Sequence, residues 1–140
     1  MESQLGRSRQ TAETVGYVGE LHCDLRVTDL ARALEWYSDV LGFSVLHHVP
    51  ENGWAELQTP VDRVRVGLTE VEAMPPAGGG AVLTFNVHNV DAARAYLETR
   101  DDVRFDGDSC TIEGWVRLAT LYDPDGNVLM LAQSLVDGPR

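Results

Sequence analysis

His22 and Asp24 stand two residues apart in an alternating stretch, so they share one face of a strand, and Glu56 falls in a later stretch of the same period. An imidazole beside a carboxylate that orients it is a general acid–base pair, which makes His22 with Asp24 or Glu56 the combination that could move a proton. The same histidine also fits a structural role, a neutral ring hydrogen-bonded inside a cavity, and both readings stand at this point. The other reactive residue types offer less. His47 and His48 are adjacent on a strand, point to opposite faces and form a poor chelate. Cys23 belongs to an apolar strand face and Cys110 to a polar loop, and neither has a basic neighbour in sequence that would activate it. They are expected as free thiols in a reducing compartment rather than a disulfide. Gly78-Gly79-Gly80 follows Pro75-Pro76 and opens no helix, so it is not a phosphate loop.

The elements that must position His22 and Asp24 are readable around them. Over residues 19–27, Leu21, Cys23, Leu25 and Val27 take one face while His22, Asp24 and Arg26 take the other, the period of a half-buried strand. Asp29 can cap a following helix in which Leu30, Ala33, Leu34, Tyr37, Val40 and Leu41 recur at helical spacing, and Gly42 supplies the stop. Strand-like runs follow at 43–49, 54–59 and 62–69, broken at Pro50-Glu51-Asn52-Gly53 and at Thr59-Pro60. This first βαβββ unit covers residues 19–70. A linker, 71–80, leads into a repeat over 81–133, in which Val87-His88-Asn89-Val90 and Tyr96 echo Val27-Thr28-Asp29-Leu30 and Trp36 at an offset of 60 residues. Gly53-Trp54-Ala55-Glu56-Leu57 finds Gly114-Trp115-Val116-Arg117-Leu118 at an offset one residue larger, and Val64–Leu68 matches Asn127–Leu131. Residues 1–16 are polar and aperiodic and are expected to form a disordered tail, with a second short tail at 136–140 around one domain at 17–135.

A net charge of −11 and an isoelectric point near 4.6 oppose binding to phosphate backbones or anionic lipid, so neither nucleic acid nor membrane is an expected partner. No run of 18 apolar residues occurs and Met1–Ser8 lacks an apolar signal core, which points to a cytoplasmic protein. Each unit hides one sheet face under its helix and leaves the other open, so two units must join across open faces or edges, within one chain or between two, and a pocket forms where they join. Alternation assigns the open face of unit one His22, Asp24, Arg26, Trp54, Glu56, Gln58, Arg63, Arg65 and Thr69. Unit two adds Thr84, Asn86, His88, Trp115, Arg117, Met130 and Ala132. The plain alternative for these charges is a solvated sheet face or internal ion pairs, and for each tryptophan a core or rim aromatic of its own repeat. Read functionally, Trp54 and Trp115 at equivalent positions would sandwich a flat aromatic ligand whose polar edge is met by His22, Asp24, Arg26, Glu56, Arg65, Asn86 and Arg117, with Met130 beside them.

The segment 20–43, with His22, Asp29, Trp36-Tyr37 and Val40-Leu41-Gly42-Phe43, and the turn Asp123-Pro124-Asp125-Gly126-Asn127 resemble the opening and closing motifs of the vicinal oxygen chelate superfamily, the group of glyoxalase I, bleomycin-resistance proteins and extradiol dioxygenases. The resemblance covers residues 19–133 and implies an α+β fold of tandem βαβββ units, an incompletely closed pair of half-barrels with eight strands. It also implies four metal-ligand positions, on the first and last strands of each unit: His22, Gly67, Val82 and Met130. Only His22 is a suitable donor, because Gly and Val offer none and a thioether suits softer ions. The expectation is therefore a protein without metal or other cofactor, similar to the bleomycin-resistance branch, that holds a planar or aromatic small molecule and forms a homodimer. The alternative is an enzyme, a lyase, isomerase or dioxygenase, using His22 with Asp24 or Glu56 as acid and base or as a non-standard site for one divalent metal.

Overall fold

The same capping chemistry starts both core helices. In the computed structural model, which describes residues 3–16, 18, 20–74 and 82–136, Asp29 Oδ1 accepts the backbone N–H of Arg32 (3.0 Å) ahead of α2, Leu30–Leu41, and Asn89 Oδ1 accepts that of Ala92 (2.9 Å) ahead of α3, Val90–Leu97. A second cap also repeats. The carboxylate of Glu70 accepts from Leu30 N (2.8 Å) and the side-chain oxygen of Gln133 from Val90 N (2.9 Å), so each unit's last strand closes its own helix terminus. Gly42, at φ 75°, ends α2 in the left-handed conformation that a side chain disfavours.

Unit one is a four-stranded sheet of β1, Leu21–Val27, β2, Ser44–Val49, β3, Trp54–Gln58, and β4, Val64–Glu70, in the order β1-β4-β3-β2 with β1 and β4 parallel. Unit two contains β5, Leu83–Asn86, β6, Arg104–Phe105, β7, Cys110–Ile112, β8, Val116–Tyr122, and β9, Val128–Ser134, in the order β5-β9-β8-β6 with β7 also on β8. The second strand expected in unit two is thus split into two short pieces, which gives that sheet five strands rather than four. The two mixed sheets do not close into a barrel. The segment 1–16, expected as a tail, contains helix α1, Gln4–Val15, capped by Ser3, whose side chain accepts from Gly6 N, and stopped by Gly16. Most of the expected linker, residues 75–80, and the residues after 136 lie outside the described ones.

The core lies between the apolar faces. Val27, Ala55, Leu57, Val66 and Leu68 of unit one and Ala119, Leu121, Leu129 and Leu131 of unit two form one buried cluster with Trp36, Tyr37 and Val40 of α2 and with Val90 and Leu97 of α3. Phe43 meets Phe85 edge-on, with ring centroids 5.8 Å apart. The polar ties between units come mainly from the Asp123–Asn127 turn. Asp125 Oδ1 accepts from Thr28 N (3.0 Å), from the Thr28 hydroxyl and from Arg32 (3.1 Å), and Asn127 Nδ2 donates to Arg26 O (2.7 Å). Tyr37 Oη donates to Asp123 Oδ2 (2.8 Å), and Trp36 Nε1 to Asp102 O (2.7 Å). The units of one chain therefore meet through their apolar, helix-bearing sides, not across the open faces or edges expected for a joint within one chain.

Candidate functional site

Gly67 is the centre of the open face of unit one. It pairs with Asp24 on β1 and with Glu56 on β3, and the neighbouring register sets His22 opposite Arg65. With no side chain at position 67, the groups above it converge: His22 Nε2 lies 3.0 Å from Asp24 Oδ1, and His22 Nδ1 lies 3.2 Å from Glu56 Oε2. A Cβ built on Gly67 would stand 2.8 Å from His22 Nε2 and would overlap the Asp24 carboxylate outright. Both ring nitrogens thus lie near a carboxylate, with a hydrogen bond between Nε2 and Asp24 and an ion-pair distance alone between Nδ1 and Glu56. The two acids differ in exposure, since the Glu56 side chain is 12% exposed and that of Asp24 63%. Glu56 also lies 3.8 Å from Arg65 and 4.0 Å from His47 Nε2, and Arg65 holds Glu20 at 2.9 Å.

Of the residues assigned to this face, His22, Asp24, Glu56 and Arg65 come together. Arg26 follows on β1 with its side chain exposed, and Trp54, half-buried, pairs with Thr69 at the end of the same face. Arg63 instead sits in the turn before β4 at φ 62°, and its guanidinium donates to Val18 O (2.8 Å). His47 and Glu20 are neighbours that the alternation did not supply. A register shift between Val45 and His47 puts His47 opposite Glu56, and Glu20 precedes the strand. Cys23 lies on the opposite, core-side face of β1, where burial and then the Asp24 charge push its thiol up, the reverse of what an activated nucleophile needs.

Unit two departs from the expected symmetry. Ala119 and Leu121 are buried and pair with Leu131 and Leu129, as Ala55 and Leu57 are buried and pair with Leu68 and Val66. The residue equivalent to Trp54 is therefore Leu118, and Thr120, opposite Met130, matches Glu56, opposite Gly67. Trp115 lies before β8 in the β7–β8 turn and is 67% exposed, while Arg117 reaches across the helix-bearing side to Asp91 of α3 (2.8 Å) and to Thr111 (2.7 Å). These two residues are corrected off the open face, and with them goes the symmetric tryptophan sandwich. Asn86 and Met130 keep their places, with Thr84 opposite Met130, and His88 falls in the exposed turn beyond β5. The two open faces are chemically unlike: one carries acids, a histidine and arginines, the other Thr84, Asn86, Leu118, Thr120 and Met130. His22, Asp24, Arg26, Thr84 and Asn86 are all exposed.

A chelating metal does not fit these residues. Val82 and Gly67 carry no donor, Met130 offers a thioether, and the space over Gly67 that a ligating side chain would need is filled by the Asp24 carboxylate. Among the described residues no cluster of three or more His, Cys, Asp and Glu side chains is arranged to hold a metal ion. No helix among them is long and apolar enough to cross a membrane. A separate cavity of about 500 Å³ at the unit seam is lined by Arg32, Glu35, Trp36, Asp39, Asp102 and Arg104 among others, and is remote in sequence and sheet from Gly67.

The model of the Glyoxalase/Bleomycin resistance protein/Dioxygenase superfamily matches residues 20–131. A glyoxalase/bleomycin resistance protein from Streptomyces sp. CB03234 is similar at 30% identity and a TM-score of 0.63, over 82% of this chain and all of the other. TnmS3, an antibiotic binding protein from the same organism, is similar at 29% identity and a TM-score of 0.68, over 85% of this chain and 98% of its own. FosX, a fosfomycin resistance protein from Listeria monocytogenes complexed with Mn(II) and sulfate, shares the fold at 14% identity, with a TM-score of 0.69 over 84% of this chain and 91% of its own. No match was found among curated proteins.

Proposed function

Because the chain belongs to the Glyoxalase/Bleomycin resistance protein/Dioxygenase superfamily, we propose that it is a small-molecule-binding protein, in which the charged open face of unit one and the uncharged open face of unit two from a second copy enclose a planar or aromatic ligand. The observation that carries this reading is the use of the apolar faces. They are spent on each other inside one chain, which leaves the polar faces and the outer edges of β1 and β5 uncovered. Leu21, 61% exposed, and Val82, 43% exposed, stand at those edges, and an unpaired edge strand bearing apolar residues is completed most simply by another strand. Trp54 contributes an aromatic wall on one face and Leu118 and Met130 an apolar wall on the other. The antibiotic-binding function stated for TnmS3 supports a small-molecule ligand.

The test is the solution mass of the purified chain together with tryptophan fluorescence during titration with a panel of planar antibiotics. A dimer whose fluorescence is quenched is expected, with Trp54→Ala weakening binding about tenfold and Trp115→Ala leaving it unchanged. A monomer that binds equally well, or binding indifferent to Trp54, would refute the enclosure. A second reading has its own observation: His22 lies between two carboxylates, the arrangement that orients an imidazole for proton transfer. It predicts turnover of a bound compound that is lost in His22→Ala while binding persists.

A further inference from the structure

Resting on the binding reading above, we infer that Asp24 is an internal stand-in for an anionic group of the ligand, a carboxylate that docks on His22 Nε2 when Asp24 swings away. The first ground is the inequality of the two acids. Glu56, 12% exposed and 3.2 Å from Nδ1, is the more buried acid beside the ring, whereas Asp24, 63% exposed and hydrogen-bonded to Nε2 at 3.0 Å, is held at the open face by a contact of the kind that solvent makes cheap to exchange. The second ground is Gly67. Its missing side chain leaves the pit in which the Asp24 carboxylate sits against Nε2, and a ligand carboxylate needs that same pit.

The third ground is Arg65. Its Nε is buried and has no hydrogen-bond partner although its terminal nitrogen pairs with Glu20, and the strand register sets Arg65 directly beside His22. A buried N–H left without an acceptor is costly, and a carboxylate bridging from His22 toward Arg65 would supply one. The charged and titratable groups around the ring are Asp24 on its own strand, Arg65 on β4, Glu56 on β3, His47 on β2 and Glu20 before β1. With Asp24 displaced, the Arg65 guanidinium and the His22 ring still face Glu56 and Glu20, so the incoming carboxylate takes the place that the Asp24 carboxylate had filled. No bond is made or broken in this exchange.

Benzoate and its uncharged isostere benzamide are the probes, read by the His22 ring signals in ¹H–¹⁵N spectra, which His22→Ala identifies among the four histidines. Benzoate is expected to move the His22 signals and to bind Asp24→Ala about fivefold more tightly than the wild type, because an internal competitor worth a typical exposed pair has been removed. Benzamide should gain nothing, and the gain should vanish in the His22→Ala/Asp24→Ala double variant. Glu51→Ala, which removes an exposed acid from the turn before β3, reports bulk charge alone and should not reproduce the gain. An equal gain for benzamide, a gain that survives without His22 or appears in Glu51→Ala, or no benzoate binding to Asp24→Ala at the solubility limit would each overturn the inference. Trp54 fluorescence separates the two proposals. A His22 response without a Trp54 response sinks the planar enclosure and spares the carboxylate seat, and the opposite result does the reverse.

Discussion

Gly67→Ala tests whether the cluster over β4 depends on an absent side chain. The new Cβ would stand 2.8 Å from His22 Nε2 and 3.3 Å from Asp24 Cγ and would overlap the Asp24 carboxylate, where ordinary contact begins at 3.4 Å. Something must therefore retreat by on the order of 1 Å. The free end of Asp24, 63% exposed and on a short, rotatable side chain, retreats furthest and the edge of the His22 ring gives by less, so the displacement is cheap. Losing the partly exposed His22–Asp24 pair costs about 0–1 kcal/mol. Gly67 does not occupy a left-handed conformation, so alanine in the strand offsets about 0.5–1 kcal/mol by restricting the unfolded chain. The expected net change in urea-unfolding free energy is within about 1 kcal/mol. The His22 ring signals should nevertheless move, while its contact with Glu56 persists. A loss above about 3 kcal/mol would mean that Gly67 serves the core rather than the site, and unmoved His22 signals would mean that the pit does not position Asp24.

Tyr37→Phe keeps the ring against Trp36, 5.0 Å between centroids, but removes the buried hydroxyl that donates to Asp123. A loss of about 1–2 kcal/mol is expected in urea unfolding, since Asp123 Oδ2 still accepts from Asn127. Asp123→Asn should show a pH signature. Burial raises the Asp123 carboxyl above its ordinary 3.8, against the opposing hydrogen bonds from Asn127 and Tyr37, so the stability linked to it is complete below that value and lost as pH rises through the raised one. The deficit of the variant relative to the wild type should narrow with rising pH across that window, and a widening deficit in denaturation midpoints would contradict the assignment. On the proposed pairing of copies, Leu21→Glu at the outer edge of β1 should shift the chain from dimer to monomer by light scattering with its circular dichroism unchanged.

Local chemistry made much of this architecture readable in advance. The two caps at Asp29 and Asn89, the β1 alternation and the Asp123–Asn127 turn all occur where their side chains predict, because each rests on neighbours within a few residues. His22, Asp24 and Glu56 likewise converge as period-two reasoning requires. The failure at Trp115 and Arg117 has a definite origin. Matching the two Gly-Trp pairs implies an offset of 61 residues, but the core pairs Ala55 with Ala119 and Leu57 with Leu121, an offset of 64, and an odd error of three turns every side chain to the other face of a strand. His47 stayed hidden because the register shift that sets it opposite Glu56 leaves no mark in residue types. The joint between units escaped because both faces of a sheet can be sealed, and burial of the apolar face against the other unit decides which one is.

The Asp123–Asn127 turn also bears on the order of events in folding. Thr28 and Asp125 are 97 positions apart and Arg26 and Asn127 are 101, so the contacts that seal the end of β1 close very long loops. On the ribosome, β1 through β4 can pair as soon as they emerge, while Tyr37 waits for a carboxylate translated 86 positions later and the apolar side of the first sheet for the leucines around it. The half-built protein is thus a sheet with its greasy side bare, and its solubility during synthesis depends on how soon residues 119–131 arrive to cover it.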